Sequence, residues 1–134
     1  MAFSIKPRGV VHFSLSVSNL EVSKKFYTEI LGLTFVRHSP AYEMMFLTAG
    51  QDFVTLCKSE TPIQPNAKGR RRVHHAFALA PDTYEDAKTF LLENGIEIID
   101  EENRETGTIL GRQFYIHDPD LNVIELNDWT GREF

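Results

Sequence analysis

A single cysteine, Cys57, leaves the chain no partner for an internal disulfide and suits a reducing compartment, so a cytoplasmic location is expected. No run of about 18 apolar residues occurs, which excludes a predicted membrane-spanning helix. The opening "MAFSIKPRGVVHF" lacks the basic-then-apolar order of a secretion signal. Positive charge is also scarce: 14 Lys and Arg stand against 19 Asp and Glu, for a net charge of -5. That balance argues against a general nucleic-acid binder, whose footprint would be basic. One stretch runs the other way, "KGRRR" at Lys68 to Arg72. It reads either as a solvated loop or as an attractor for an anionic substrate. What remains is an ordinary globular composition, 42% apolar and 25% charged. At 134 residues it fits one domain, or two small modules sharing a core.

Two halves share one grammar. In "VVHFSLSV", Val11, Phe13, Leu15 and Val17 alternate with His12, Ser14 and Ser16, as in a strand with one core face. A helix follows, capped by Ser18 or Asn19, striped by Leu20, Val22, Phe26, Tyr27, Ile30 and Leu31, and stopped at Gly32. In the second half, Val73, His75, Phe77 and Leu79 alternate with His74, Ala76 and Ala78. A helix capped by Asp82 or Thr83 follows, with Tyr84, Ala87, Phe90 and Leu91 as its stripe and Gly95 as its stop. Strand-like runs come after each helix: "TFVRHS", "YEMMFLTA" and "DFVTLCK", then "IEIID", "GRQFYIHD" and "NVIELND". The predicted unit is βαβββ, used twice, within a single domain spanning 1–134. Module one covers about 8–58, a proline-bearing linker 59–72, and module two about 73–128. The fold class is α+β.

The last two runs read as a hairpin about Asp118-Pro119-Asp120, with Tyr115 opposite Glu125. Phe114, Ile116, Ile124 and Leu126 then face the helices, and Gln113, Tyr115, Val123 and Glu125 the other side. That side gathers His12, Ser14 and Ser16 from one module and His74, Tyr115 and Glu125 from the other. Unpaired imidazoles and carboxylates are costly to bury, so such groups need partners. Two neutral imidazoles and one carboxylate form a ligand set for a divalent transition metal, with positions left for substrate or dioxygen. Fe2+ is favoured; Mn2+, Ni2+, Zn2+ or Co2+ could use the same set.

"VHFSLSVSNLEVSKKFYTEILGL" (11–33), "VHHAFAL" (73–79) and "FYIHDPDLNVIEL" (114–126) resemble the vicinal oxygen chelate superfamily, which includes glyoxalase I, bleomycin-resistance proteins, fosfomycin-resistance enzymes and extradiol dioxygenases. The resemblance implies paired βαβββ modules forming an open, curved mixed barrel around a metal held by His12, His74 and Glu125. It implies chelation of a small substrate through adjacent oxygens, and a homodimer whose site can be shared between chains. Tyr115 matches the tyrosine that extradiol and fosfomycin-resistance enzymes place beside the metal; a half-buried structural tyrosine is the alternative. Ser14 is positioned to touch substrate.

Two departures stand out. Leu121 occupies the turn position where the family has Gly, and Thr55 falls where glyoxalase I has a fourth ligand, with Glu43 the acidic residue nearby. The three-ligand set favours a dioxygenase-like enzyme. A fosfomycin-type thiol transferase or hydrolase, a glyoxalase-like lyase or isomerase, and a non-catalytic drug-binding protein are the alternatives. His38 and His117 are spare histidines for acid–base work. Phe46, Phe53 and Cys57 are candidates for an apolar pocket wall. The acidic "DEENRETG" (100–107) stands where a cationic cradle for a phosphonate would be wanted. His75, facing the helices with Phe77, is expected to be structural.

Overall fold

A computed structural model describes residues 4–66 and 71–131. Of the basic stretch, Lys68, Gly69 and Arg70 lie outside the described residues, and Arg71 and Arg72 within them. The chain divides into two compact units, Met1–Thr61 and Pro62–Phe134.

The first unit contains β1 (His12–Val17), α1 (Leu20–Lys25), β2 (Thr34–Ser39), β3 (Met44–Ala49) and β4 (Asp52–Lys58). Its sheet runs in the order β1-β4-β3-β2, with β1 parallel to β4 and the other neighbours antiparallel. Leu15, Val17, Met45, Leu47, Val54 and Leu56 bury one face of it. Asn19 caps α1 by accepting the Val22 N–H at 3.1 Å. The helix continues as a π-helical turn, Phe26–Ile30. The buried helical face is Ser23, Phe26 and Tyr27, whereas Val22 is 51% exposed. Ser23 stands three and four residues before Phe26 and Tyr27 and shares their face; Val22, expected in the stripe, lies at its exposed edge.

The second unit repeats the arrangement with β5 (His74–Ala78), α2 (Tyr84–Glu93), β6 (Asp100–Arg104), β7 (Gly111–His117) and β8 (Val123–Asn127). Its sheet order, β5-β8-β7-β6, again pairs the first and last strands in parallel. Neither sheet closes on itself. Tyr84 of α2 is fully buried and packs edge-on against Phe114, ring centroids 5.2 Å apart. Three details differ from expectation. The Thr83 side chain caps no helix N–H; it donates back to the Ala80 carbonyl at 2.8 Å, closing a 3-10 turn over Pro81–Thr83. Phe90 is 42% exposed, off the stripe. The strand sought in "IEIID" begins only at its last residue, Asp100. An edge strand tolerates the charged "DEENR" that follows, because only one side of it is paired.

The β7–β8 hairpin has Tyr115 opposite Glu125, as the sequence predicts. Leu121 adopts φ +66, the left-handed conformation a glycine would take there. Asp118 holds the turn in that shape. Its Oδ1 accepts the N–H groups of Asp120 and Asn122, both at 2.8 Å, and its Oδ2 accepts the Asn122 amide at 2.8 Å.

Candidate metal centre

The parallel β5/β8 register sets Ala76 beside Glu125. His74, two residues before Ala76, projects from the same face, and its Nε2 comes 3.3 Å from Glu125 Oε2. Glu125 is 4% exposed, so its charge is largely withdrawn from water. His74 Nδ1 lies 2.9 Å from the Arg71 carbonyl. A carbonyl only accepts, so Nδ1 carries the proton, and in the neutral ring Nε2 presents a lone pair to the carboxylate. Two acceptors facing each other at that distance repel unless a proton or a cation lies between them. A backbone carbonyl fixing the tautomer from behind is the usual support of a metal-ligating histidine. The spacing also suits two ligands each bound about 2.0–2.2 Å from one cation. The donor set therefore fits a divalent metal.

His12 opens β1 of the first unit as His74 opens β5 of the second, and its side chain is exposed. Among the described residues no group of three or more His, Cys, Asp or Glu side chains gathers. The structure thus brings together two of the three expected ligands. In the first unit Ser14 pairs with Thr55, and in the second Ala76 pairs with Glu125, so Thr55 is the positional counterpart of Glu125. Thr55 is buried and its hydroxyl meets the Ser14 hydroxyl at 2.6 Å. Phe53 and Cys57 alternate with it on the same face of β4, and Phe46 sits opposite Thr55. Glu43 lies off that face. It sits in a left-handed turn, exposed and ion-paired with Lys58 at 3.2 Å. His38 is exposed on β2.

An open pocket of about 750 Å³ in the second unit is lined by Arg71, Arg72, His74, Arg104, Ile109, Tyr115 and Glu125. Tyr115 is buried at its floor, its hydroxyl 3.4 Å from Glu125 Oε1 and 3.3 Å from Glu102 Oε1. Burial, then the Glu125 charge, pushes its phenol up to about 12. Glu102 also accepts Gln113 Nε2 at 2.6 Å and Arg104 at 2.9 Å, and these donors hold its carboxyl below the usual range, the Gln113 bond most of all. The Arg71 guanidinium lies over the Tyr115 ring, 4.1 Å from its centroid, and pairs with Asp100. Asp100 and Glu102 thus neutralise Arg71 and Arg104, while Arg72 has no ion-pair partner among the described residues.

The stretch expected to be merely acidic therefore holds arginines at the pocket. Asp100, Glu102 and Arg104 alternate along β6, and that period-2 spacing in the sequence was the available signal. His117 does not line the pocket. His75 is half-buried on the opposite face with Phe77.

A family model of the Glyoxalase/Bleomycin resistance protein/Dioxygenase superfamily matches residues 9–126, and the chain belongs to that superfamily. Among its relatives, it is 31% identical over 116 residues to the glutathione transferase FosA of Serratia marcescens, covering 87% of this chain and 77% of that one. It is 33% identical over 119 residues to a trivalent organoarsenical cleaving enzyme of Bacillus sp. (strain MD1), covering 85% and 69%. Its fold is similar, at TM-score 0.77 and 25% identity, to an integron cassette protein from the mobile metagenome of the Halifax Harbour sewage outfall, covering 92% of this chain and 100% of that one. No helix among the described residues is long and apolar enough to cross a membrane.

Proposed function

We propose that the chain is a metal-dependent enzyme that holds one divalent cation through His12, His74 and Glu125 and transfers a group to a small anionic substrate bound through adjacent oxygens. The observation that carries this reading is the His74–Glu125 pair, an imidazole nitrogen 3.3 Å from a buried carboxylate oxygen with the ring's other nitrogen tied to the Arg71 carbonyl. The bound cation would polarise the substrate oxygens and stabilise charge that develops on them. The chain's residues do the rest. The Arg71 carbonyl keeps His74 in the ligating tautomer. The Tyr115 hydroxyl, beside Glu125, donates to a substrate oxygen. Arg72 offers a guanidinium that no carboxylate among the described residues engages, which suits an anionic group. Ser14, held by Thr55, offers a hydroxyl on the β1 face that bears His12.

Group transfer is favoured over the dioxygenase-like reaction first expected. Ring-cleaving chemistry calls for an acid–base imidazole beside the metal, and His74 is the one imidazole among the described pocket residues. A relative that is a glutathione transferase supports the same choice. The protein should bind about one equivalent of Mn2+ or Fe2+, and Glu125→Ala should lose it. Metal-loaded protein should consume glutathione with small anionic electrophiles. Oxygen uptake on a catechol panel without thiol consumption would return the reading to a dioxygenase.

A further inference from the structure

The face of the second sheet that bears His74 and Glu125 does not end at those residues. Beyond them along β5, Ala76 and Ala78 project from the same face as His74 and leave room where larger side chains would fill it. There the surface sinks into a groove of about 190 Å³, lined by Ala76, Phe77, Ala78, Ile109, Asn127 and Trp129. Ile109 borders both this groove and the pocket of the His74–Glu125 pair, so the two spaces adjoin. Their chemistry differs sharply. The pocket carries three guanidiniums, a carboxylate and a phenol, whereas aliphatic and aromatic groups dominate the groove. Ile109 is 42% exposed although it is a large aliphatic residue. A cavity of about 150 Å³ with apolar walls is enough for a benzene ring.

We propose that the substrate carries an apolar or aromatic tail that lies in the Ala76–Ala78–Ile109–Trp129 groove while its anionic oxygens occupy the adjoining pocket. This deepens the reading above and rests on it for the head group. The tail is the occupant the observations favour, because the groove and the pocket share Ile109 as a wall and the groove is too small for a segment of another protein. Ala76 and Ala78 are then specificity-determining residues: their small size admits the tail, and Trp129 forms an aromatic wall against it.

The test compares methylphosphonate with phenylphosphonate, which share the anionic oxygens and differ in the tail. Each is titrated into the full chain, with and without Mn2+, by calorimetry and by the emission of Trp129, the only tryptophan in the sequence. With Mn2+ bound, phenylphosphonate should bind on the order of tenfold more tightly than methylphosphonate, as expected for partial burial of a ring. It alone should shift Trp129 emission. Ala78→Phe, on an exposed position, should reduce the advantage to about twofold or less and leave methylphosphonate binding unchanged. Ala76→Leu is the second variant should Ala78→Phe fold poorly. Equal affinities in the unaltered protein, or an advantage that survives both substitutions, would overturn the proposal. A Trp129 emission that follows protein concentration and ignores phenylphosphonate would also overturn it, making the groove an interface between copies. Should Mn2+ not bind while phenylphosphonate still shifts Trp129 and methylphosphonate does not, the groove stands and the metal reading fails.

Discussion

Adjacent histidines on a strand cannot share a task, and His74 and His75 divide along that line. His74 lies on the face of Ala76 and Glu125, with Nδ1 tied to the Arg71 carbonyl. His75 lies on the face of Phe77, where burial above all lowers its pKa. His74→Ala should therefore lose at least 100-fold in Mn2+ affinity, while His75→Phe should keep the metal and change stability by no more than about 1.5 kcal/mol, as for a volume-conserving exchange at a half-buried position. Metal titration and thermal melts of the two variants check this; metal loss in His75→Phe would break the assignment. Strand alternation made the division legible in the sequence. The Arg71 carbonyl was not legible, because it depends on how the loop before β5 turns back on the ring.

At the scale of elements, the hairpin register was legible and its closure was not. Tyr115 opposite Glu125 follows from the turn's position alone. That a leucine could stand at φ +66 follows only from the cage Asp118 builds around it. The side chain of Leu121 is 55% exposed, so little packing compensates for the left-handed backbone. Leu121→Gly should raise stability by about 1 kcal/mol, the usual penalty for a side chain in that region less the loss of unfolded-state restriction. Asp118→Ala should cost more, about 2 kcal/mol, because it strips two half-buried turn N–H groups and the Asn122 amide of their acceptor. Urea denaturation of the two variants gives both numbers, and a destabilised Leu121→Gly would mean that the leucine side chain matters more than its backbone. β6 was misplaced for a related reason. The apolar "IEII" reads as strand by composition, yet the charged "DEENR" pairs with β7, because its alternate residues Glu102 and Arg104 engage Gln113, Tyr115 and each other.

At the scale of the molecule, the repeat was the most legible feature, and it accounts for the number of ligands in the proposed set. Both sheets run first-last-third-second in strand order, and His12 and His74 open equivalent strands. A fully symmetric pair of modules would supply four ligands, but Thr55 stands where Glu125 has its counterpart and is engaged by Ser14. Under the proposed ligand set, one ligand would come from the first unit's sequence and two from the second's, and the cation would bind only folded protein. Mn2+ at about 100 times its dissociation constant should stabilise the protein by about 2.7 kcal/mol, and a chelator should remove that gain. The decisive variant is His12→Ala, because His12 is exposed and its loss should barely change the stability of the metal-free protein. If it also abolishes the Mn2+-dependent rise in melting temperature, as Glu125→Ala should, the first unit supplies a ligand. If the rise persists in full, the metal belongs to the second unit alone, and the repeat of His12 and His74 reflects the shared fold rather than shared chemistry.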